Sequence, residues 1–260
     1  MKMRNSLAAA IMAAITAVVL AIAAPPAKAA TINWSTAQNI TGTASNDVVT
    51  TGSLFASANF GSGTSVTVNS VTFNPFTASG TSTTVGNITL ASTSGQNLSV
   101  SGDPLGGPPS YNGLLEAANF TGGFPTTGFR TQSITLSNLL LGATYSIQYW
   151  VNDSRAGTTA SRTVNVGSVT LAANVAQSEG GLGQYTIGQF IADSTTQSFS
   201  VVGNFNVAEN GVSAPYANAM QVRMVAVPEQ STWVMAGAGI ALVATCGEVR
   251  RRRRVRALAS

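Results

Sequence analysis

The chain has 260 residues, a formal net charge of +4, one cysteine and no histidine. The lack of histidine excludes Ser-His-Asp and Cys-His catalysis and imidazole metal sites, and one cysteine excludes both an internal disulfide and a Cys/His zinc site. Between Thr31 and Ala226, four arginines stand against seven carboxylates, a difference of −3. The positive charge therefore belongs to the two ends of the chain, and the body has no basic surface for nucleic acid.

Residues 1–29 have the pattern of a secretory signal peptide. Two basic residues precede an apolar, alanine-rich run, and an Ala-x-Ala cleavage site follows at Ala27 and Ala29. Two prolines interrupt the run just before this site, so a second membrane helix is the weaker interpretation. We therefore expect the chain to be exported and the mature protein to begin at Ala30.

The body, residues 30–226, is predicted to be all-β. Its Ser, Thr and Gly content resembles that of disordered segments, but such segments lack the aromatic and β-branched residues that are frequent here. Apolar and polar residues alternate in short runs between turn-forming residues, which is typical of a sandwich or barrel. The runs are 65–73, 133–136, 144–151, 162–166 and 197–202, with further candidates at 53–60, 85–90, 184–191 and 219–225.

A single antiparallel β-sandwich, of the jelly-roll type, fits this pattern best. Only residues 111–120 carry apolar side chains at helical spacing, after a loop rich in Gly and Pro at residues 102–110. A division of the body into two small β units at residues 103–110 is the weaker alternative. No segment repeats with a constant period three times, which argues against a solenoid.

The densest polar cluster of the body follows the strand predicted at residues 144–151. In one interpretation it forms a carbohydrate-binding rim, where polar groups bond to sugar hydroxyls and an aromatic ring offers an apolar face. In the other, which is the stronger, Trp150 lies in the core and Asp153 pairs with an arginine. Strand alternation puts Tyr149 and Trp150 on opposite faces, so one of the two is expected to be buried. The candidate ligand-binding residues are Trp150, Asn152, Asp153 and Arg155.

No pattern in the body indicates catalysis, and we expect no catalytic residue and no cofactor. A glycosidase needs two carboxylates that face each other across a cleft, and the spacing of the seven carboxylates pairs none of them. A polysaccharide-active enzyme is thus a remote alternative. Calcium takes oxygen ligands, and Asn46, Asp47 and Asp193 are the candidates for a structural calcium ion, without an EF-hand or other repeat.

The tail, residues 227–256, is predicted to insert into a membrane. Its helix, residues 231–249, contains an apolar run that reaches roughly 25 Å at about 1.5 Å per residue, close to the ~30 Å of a bilayer core. Pro228 is expected to stop this helix from extending further toward the N-terminus, because the residue before a proline is disfavoured in the helical conformation. A basic tail that only binds acidic surfaces is the alternative. The arginines that follow the helix, and that the positive-inside rule keeps in the cytoplasm, begin with Arg250, Arg251, Arg252, Arg253 and Arg254.

The motif at residues 227–233, the helix and the arginine cluster at residues 250–256 together resemble the PEP-CTERM sorting signal of Gram-negative bacteria. The resemblance covers the tail alone and implies processing by a membrane protease, exosortase. The helix would then act mainly as a sorting signal and not as a lasting membrane anchor. Gln230 stands where the family usually has proline. The motif residues that carry the resemblance are Val227, Pro228, Glu229 and Gln230.

The body resembles, less specifically, a jelly-roll domain of secreted planctomycete proteins, through residues 133–157 and 183–201. That resemblance implies a fold and defines no activity. Together the features predict a non-catalytic protein that passes transiently through the inner membrane to the cell surface or extracellular matrix, with a structural or adhesive role. The alternative is a lectin-like, carbohydrate-binding module. The expected partners are an exosortase-type protease, the membrane and extracellular polysaccharide.

Overall fold

A computed structural model gives the structure of most of the body. The chain divides into two units, Met1–Ala226 and Val227–Ser260, and every described residue belongs to the first. The predicted signal peptide and the predicted sorting signal lie outside the described residues. Among the helices that are described, none is long and apolar enough to cross a membrane. The described residues are 30–61, 63–77, 81–92, 96–99, 109–120, 128–154, 162–205 and 215–226.

Strands dominate this part of the chain, as the alternating sequence pattern predicts, and the two helices described are short. The helices are α1 (Ala44–Asp47) and α2 (Pro109–Leu115). The strands are β1 (Asn33–Trp34), β2 (Gln38–Asn39), β3 (Ser53–Asn59), β4 (Val66–Val68), β5 (Val71–Pro75), β6 (Ser82–Val85), β7 (Ile88–Ser92), β8 (Gln96–Ser99), β9 (Ala117–Phe120), β10 (Gly128–Leu136), β11 (Thr144–Val151), β12 (Thr163–Val166), β13 (Val169–Ala172), β14 (Gln184–Ile191), β15 (Gln197–Phe205), β16 (Tyr216–Ala217) and β17 (Ala219–Ala226).

Two large sheets form the body. The first has the strand order β1-β14-β11-β17-β3-β5-β4, with β2 also paired to β14, and the second has the order β13-β12-β15-β10-β7-β6. A small third sheet has the order β16-β9-β8. The described strand pairs are antiparallel except β3 with β5. The predicted antiparallel β-sandwich is therefore confirmed.

The pairings also bear on the proposed split at residues 103–110. Strand β3 pairs with β17, and β7 pairs with β10, so strands from both sides of that segment share each large sheet. The body is thus not divided there into two separate β units.

The main core lies between the two large sheets. Alternate residues of β11 point into it and meet apolar side chains of the second sheet, such as Ile134 and Val201. A second apolar cluster lies on the outer face of the first sheet, where side chains of α2 and of the β4–β5 hairpin, at the end of the same sheet, pack over the central strands. Strand β11 is consequently buried on both faces over nearly its whole length.

Two local predictions need correction. Residues 65–73, predicted as one strand, form the β4–β5 hairpin, with φ values of 47° and 62° at Asn69 and Ser70 in the turn. The alternation changes phase at these two adjacent polar residues, and this break in the period marks a two-residue hairpin turn. In the segment predicted as helical at residues 111–120, α2 ends at Leu115 and β9 begins at Ala117.

Candidate functional site

The candidate ligand-binding residues begin at the end of β11, a central strand of the first sheet. Tyr149 points into the core between the sheets, and Trp150 points to the outer face, as the alternation predicts. Both side chains are nevertheless fully buried, because the outer face of this sheet is covered as well. The strand thus presents neither ring to solvent.

Trp150 is a core residue of the outer cluster. Its ring packs edge-on against Phe73 of β5, with centroids 5.7 Å apart, and lies 6.2 Å from the ring of Tyr185 on β14. The relative exposure of Trp150 is 0%. Stacking of this ring on a sugar would require the covering segments to open, so its contacts agree with the structural interpretation.

Asn152 joins separate parts of the fold. Its backbone N–H donates to Asn218 Oδ1 at 2.7 Å, and its own Oδ1 accepts from the N–H of Gly183 at 2.7 Å. The amides of both asparagines donate to the carbonyl of Leu115 at the end of α2, at 3.2 and 3.0 Å. These bonds tie the ends of β11 and α2, the start of β17 and the loop before β14 together.

Asp153 forms a buried ion pair with Arg162, which lies just before β12. The two side chains are 0% and 7% exposed. The Asp153 N–H donates to Ala173 O at 2.7 Å, and the N–H of Ala173 donates to the Arg162 carbonyl at 2.8 Å. The expectation of an exposed rim at Trp150, Asn152 and Asp153 is therefore corrected: all three are buried and serve internal contacts. Arg155 lies outside the described residues.

A second polar layer covers the outer face of the first sheet. Gln148 on β11 donates to the carbonyl of Asp47 at 2.7 Å and accepts from the N–H of Val49 at 3.0 Å. Gln221 on β17 donates to the Val49 carbonyl at 2.8 Å. Arg223 donates through Nη2 and Nε to the carbonyls of Thr50, Gly52 and Thr51 at 2.8, 2.7 and 3.0 Å. These side chains bind residues 47–52, hereafter the covering segment, onto the sheet.

The sequence interpretation missed Gln148, Gln221 and Arg223. On their strands these polar residues alternate with apolar ones. On a half-buried strand such alternation indicates that the polar face is exposed to solvent. Burial lowers the pKa of the Arg223 guanidinium, but an arginine remains charged at neutral pH. Its guanidinium donates to backbone carbonyls of the covering segment, so its described contacts stabilise the fold.

Asp47, the first residue of the covering segment, binds the loop that precedes it through its carboxylate. Its carboxylate accepts from the N–H of Thr41 at 2.9 Å, from the N–H of Gly42 at 3.0 Å and from the Thr41 hydroxyl at 2.9 Å. Burial first, and then the Asp47 carboxylate, raise the pKa of the Tyr111 phenol. Burial alone raises the pKa of Tyr149. In the folded state both phenols, Tyr111 and Tyr149, are therefore favoured in their neutral form.

The buried phenols predict a loss of stability at alkaline pH. The folded-state pKa values of Tyr111 and Tyr149 are raised above the unfolded value near 10, so their stabilisation is complete below about pH 10 and declines as the pH rises above it. We expect a loss of about 1.4 kcal/mol per pH unit for each such phenol. Urea denaturation of residues 30–226 at pH 8, 10 and 11 tests this, with Tyr149→Phe as the control that should reduce the dependence and leave the contribution of Tyr111. An unchanged urea midpoint between pH 8 and 11 would contradict it.

The calcium candidates lie in two different settings. The Asp47 carboxylate is occupied by three N–H and O–H donors, and Asp193 is exposed and accepts from the N–H of Ala30. Within the described ranges, no group of three or more acidic, histidine or cysteine side chains is placed to hold a metal ion.

The remaining predicted site residues lie outside the described residues. They are the cleavage residues Ala27 and Ala29, the motif Val227 to Gln230 and the arginines 250–254. Comparison of the chain with family models, with curated proteins and with solved structures finds no match in any of the three.

Proposed function

We propose that the protein is an exported, non-catalytic component of the cell surface or extracellular matrix, with a structural or adhesive β-domain. The observation that carries this proposal is the use of the body's polar side chains. Asn152, Asp153 and Asn218 are fully buried and bind other segments of the same chain. The densest polar cluster thus works as an internal scaffold, which suits a protein whose role depends on a durable fold.

We propose further that the body is a jelly roll. Eight of its strands, β3, β10, β11, β12, β13, β14, β15 and β17, follow one another around the sandwich. If they are numbered one to eight, the sheets read 1-8-3-6 and 2-7-4-5, the order of a jelly roll. The additional strands β4 to β9 come from the connection between the first and second of these strands. Of these, β4 and β5 extend one large sheet, β6 and β7 extend the other, and β8 and β9 lie in the small third sheet.

The route to the surface follows from the two ends of the sequence. The signal peptide would be removed after Ala29, and the helix at residues 231–249 would enter the inner membrane with the arginines in the cytoplasm. An exosortase-type protease would then process the tail at the motif that contains Pro228 and Glu229. The mature protein would then lie among the polysaccharide of the extracellular matrix.

Deletion of the tail tests the proposed sorting. We expect the full chain to fractionate with the cell surface or matrix of a Gram-negative host that has an exosortase system, and a chain that ends at Ala226 to be released into the periplasm or medium. Immunoblots of the fractions give the distribution, and Pro228→Ala with Glu229→Ala separates loss of the motif from loss of the helix. Equal surface association of the two chains, or a surface form that keeps its arginines, would contradict the proposal.

A further inference from the structure

Two side chains that lie far away in sequence hold Ala30. Asp193 Oδ1 accepts from the Ala30 N–H at 3.1 Å, and Gln197 Nε2 donates to the Ala30 carbonyl at 3.0 Å. Asp193 follows β14 and is exposed, whereas Gln197 begins β15 and is 4% exposed. Both backbone polar groups of this one residue are therefore bound by side chains of the sandwich.

Ala30 is also the first residue after the predicted cleavage site. Hydrolysis of the peptide bond between Ala29 and Ala30 consumes one water, leaves a carboxylate on Ala29 and frees an amine on Ala30, which takes up a proton below its pKa. We propose that Asp193 and Gln197 form a seat for the mature N-terminus, in which signal-peptide cleavage turns a hydrogen bond from Ala30 to Asp193 into an ion pair. This inference rests on the export step of the proposed function.

The register of β1 fixes how far the new terminus can reach. Asn33 and Trp34 pair with Gln189 and Gly188 of β14. A Cβ added at Gly188 would lie 2.7 Å from atoms of the Trp34 ring, so the missing side chain makes room for that ring. Because adjacent Cα atoms are about 3.8 Å apart, a terminus one residue longer would carry its charge beyond ion-pair distance of Asp193. The seat therefore depends on the position of cleavage.

The surroundings accept a charged nitrogen. Ala30 and Asp193 line a cavity of about 510 Å³, together with Thr31, Asn33 and Gln189. An ammonium there has space beside Asp193 for its additional hydrogens. An exposed ion pair contributes modestly, about 0.2–1 kcal/mol, so we expect a measurable preference for the protonated amine.

The test uses the full chain, produced with its own signal peptide in a Gram-negative host and purified from the membrane fraction in mild detergent. Mass spectrometry first identifies the N-terminal residue, which we expect to be Ala30. Labelling of the α-amine is then measured from pH 6 to 9. We expect neutral-pH labelling about 1.5- to 5-fold slower than in Asp193→Asn, the range given by exposed ion pairs. A glycine inserted between Ala29 and Ala30, which keeps the Ala30 N–H but moves the charge, should also restore faster labelling.

The outcomes separate this inference from the proposed function. A mature N-terminus at Ala30 with equal labelling in all three proteins would overturn the seat and leave export intact. A mature N-terminus at another residue would overturn the seat as well. An uncleaved chain would overturn both the seat and the export step, whereas fractionation of the tail-deleted chain tests sorting independently.

Discussion

Trp150→Ala is expected to lower the free energy of unfolding by about 3–5 kcal/mol, the usual cost of truncating a large buried aromatic residue. Trp150 is 0% exposed and fills the space between Phe73 and Tyr185 on the outer face of the first sheet. The loss leaves a cavity in a cluster that holds α2 and the β4–β5 hairpin. Against a typical total of about 5–15 kcal/mol, this is a large fraction of the stability.

Urea denaturation of residues 30–226, followed by far-UV circular dichroism, measures the change. Phe129→Ala is the matched control, since this aromatic residue is 71% exposed and its truncation should change stability by less than about 0.5 kcal/mol. Trp150→Phe should fall between the two. A Trp150→Ala variant with unchanged stability and impaired binding to polysaccharide would favour the carbohydrate-binding alternative over a core role.

The sequence pattern predicted strands well where alternation and turn residues agree. The predicted bounds 144–151 and 184–191 are those of β11 and β14. At residues 65–73 the alternation changes phase, since Val66 and Val68 are followed by two consecutive polar residues and the apolar positions resume at Val71 and Phe73. Two polar residues in a row break a period of two, and this break at Asn69 and Ser70 is the mark of the turn that the interpretation as one strand overlooked.

Burial was harder to predict than strand positions. Gln148, Gln221 and Arg223 form a polar face that by pattern alone resembles a solvated one, yet all three are at most 8% exposed. What buries them is the covering segment, which lies about a hundred or more residues earlier in the chain than β11 and β17. Trp150 is hidden in a similar way by other segments that are distant in sequence, α2 and the β4–β5 hairpin. A pattern confined to one strand carries no information about a segment that folds over it.

Asp153→Ala should destabilise the body by about 3–5 kcal/mol, because it leaves the Arg162 guanidinium buried without its carboxylate. Arg162→Ala should have a similar cost for the converse reason. Glu179→Ala is the matched control: Glu179 is an exposed carboxylate of the loop between β13 and β14, and its removal should cost less than about 0.5 kcal/mol.

The double variant Asp153→Ala with Arg162→Ala separates the pair from its parts. If the two side chains act mainly on each other, the double variant loses less stability than the sum of the single variants, because neither charge remains buried alone. The difference, measured in the same urea experiment, is the coupling energy, and contacting charges should give at least about 0.5 kcal/mol. Additive losses would mean that Asp153 and Arg162 stabilise the fold through their other partners. In that case the backbone bonds through Ala173, which neither substitution removes, would be the main link between β12, β13 and the end of β11.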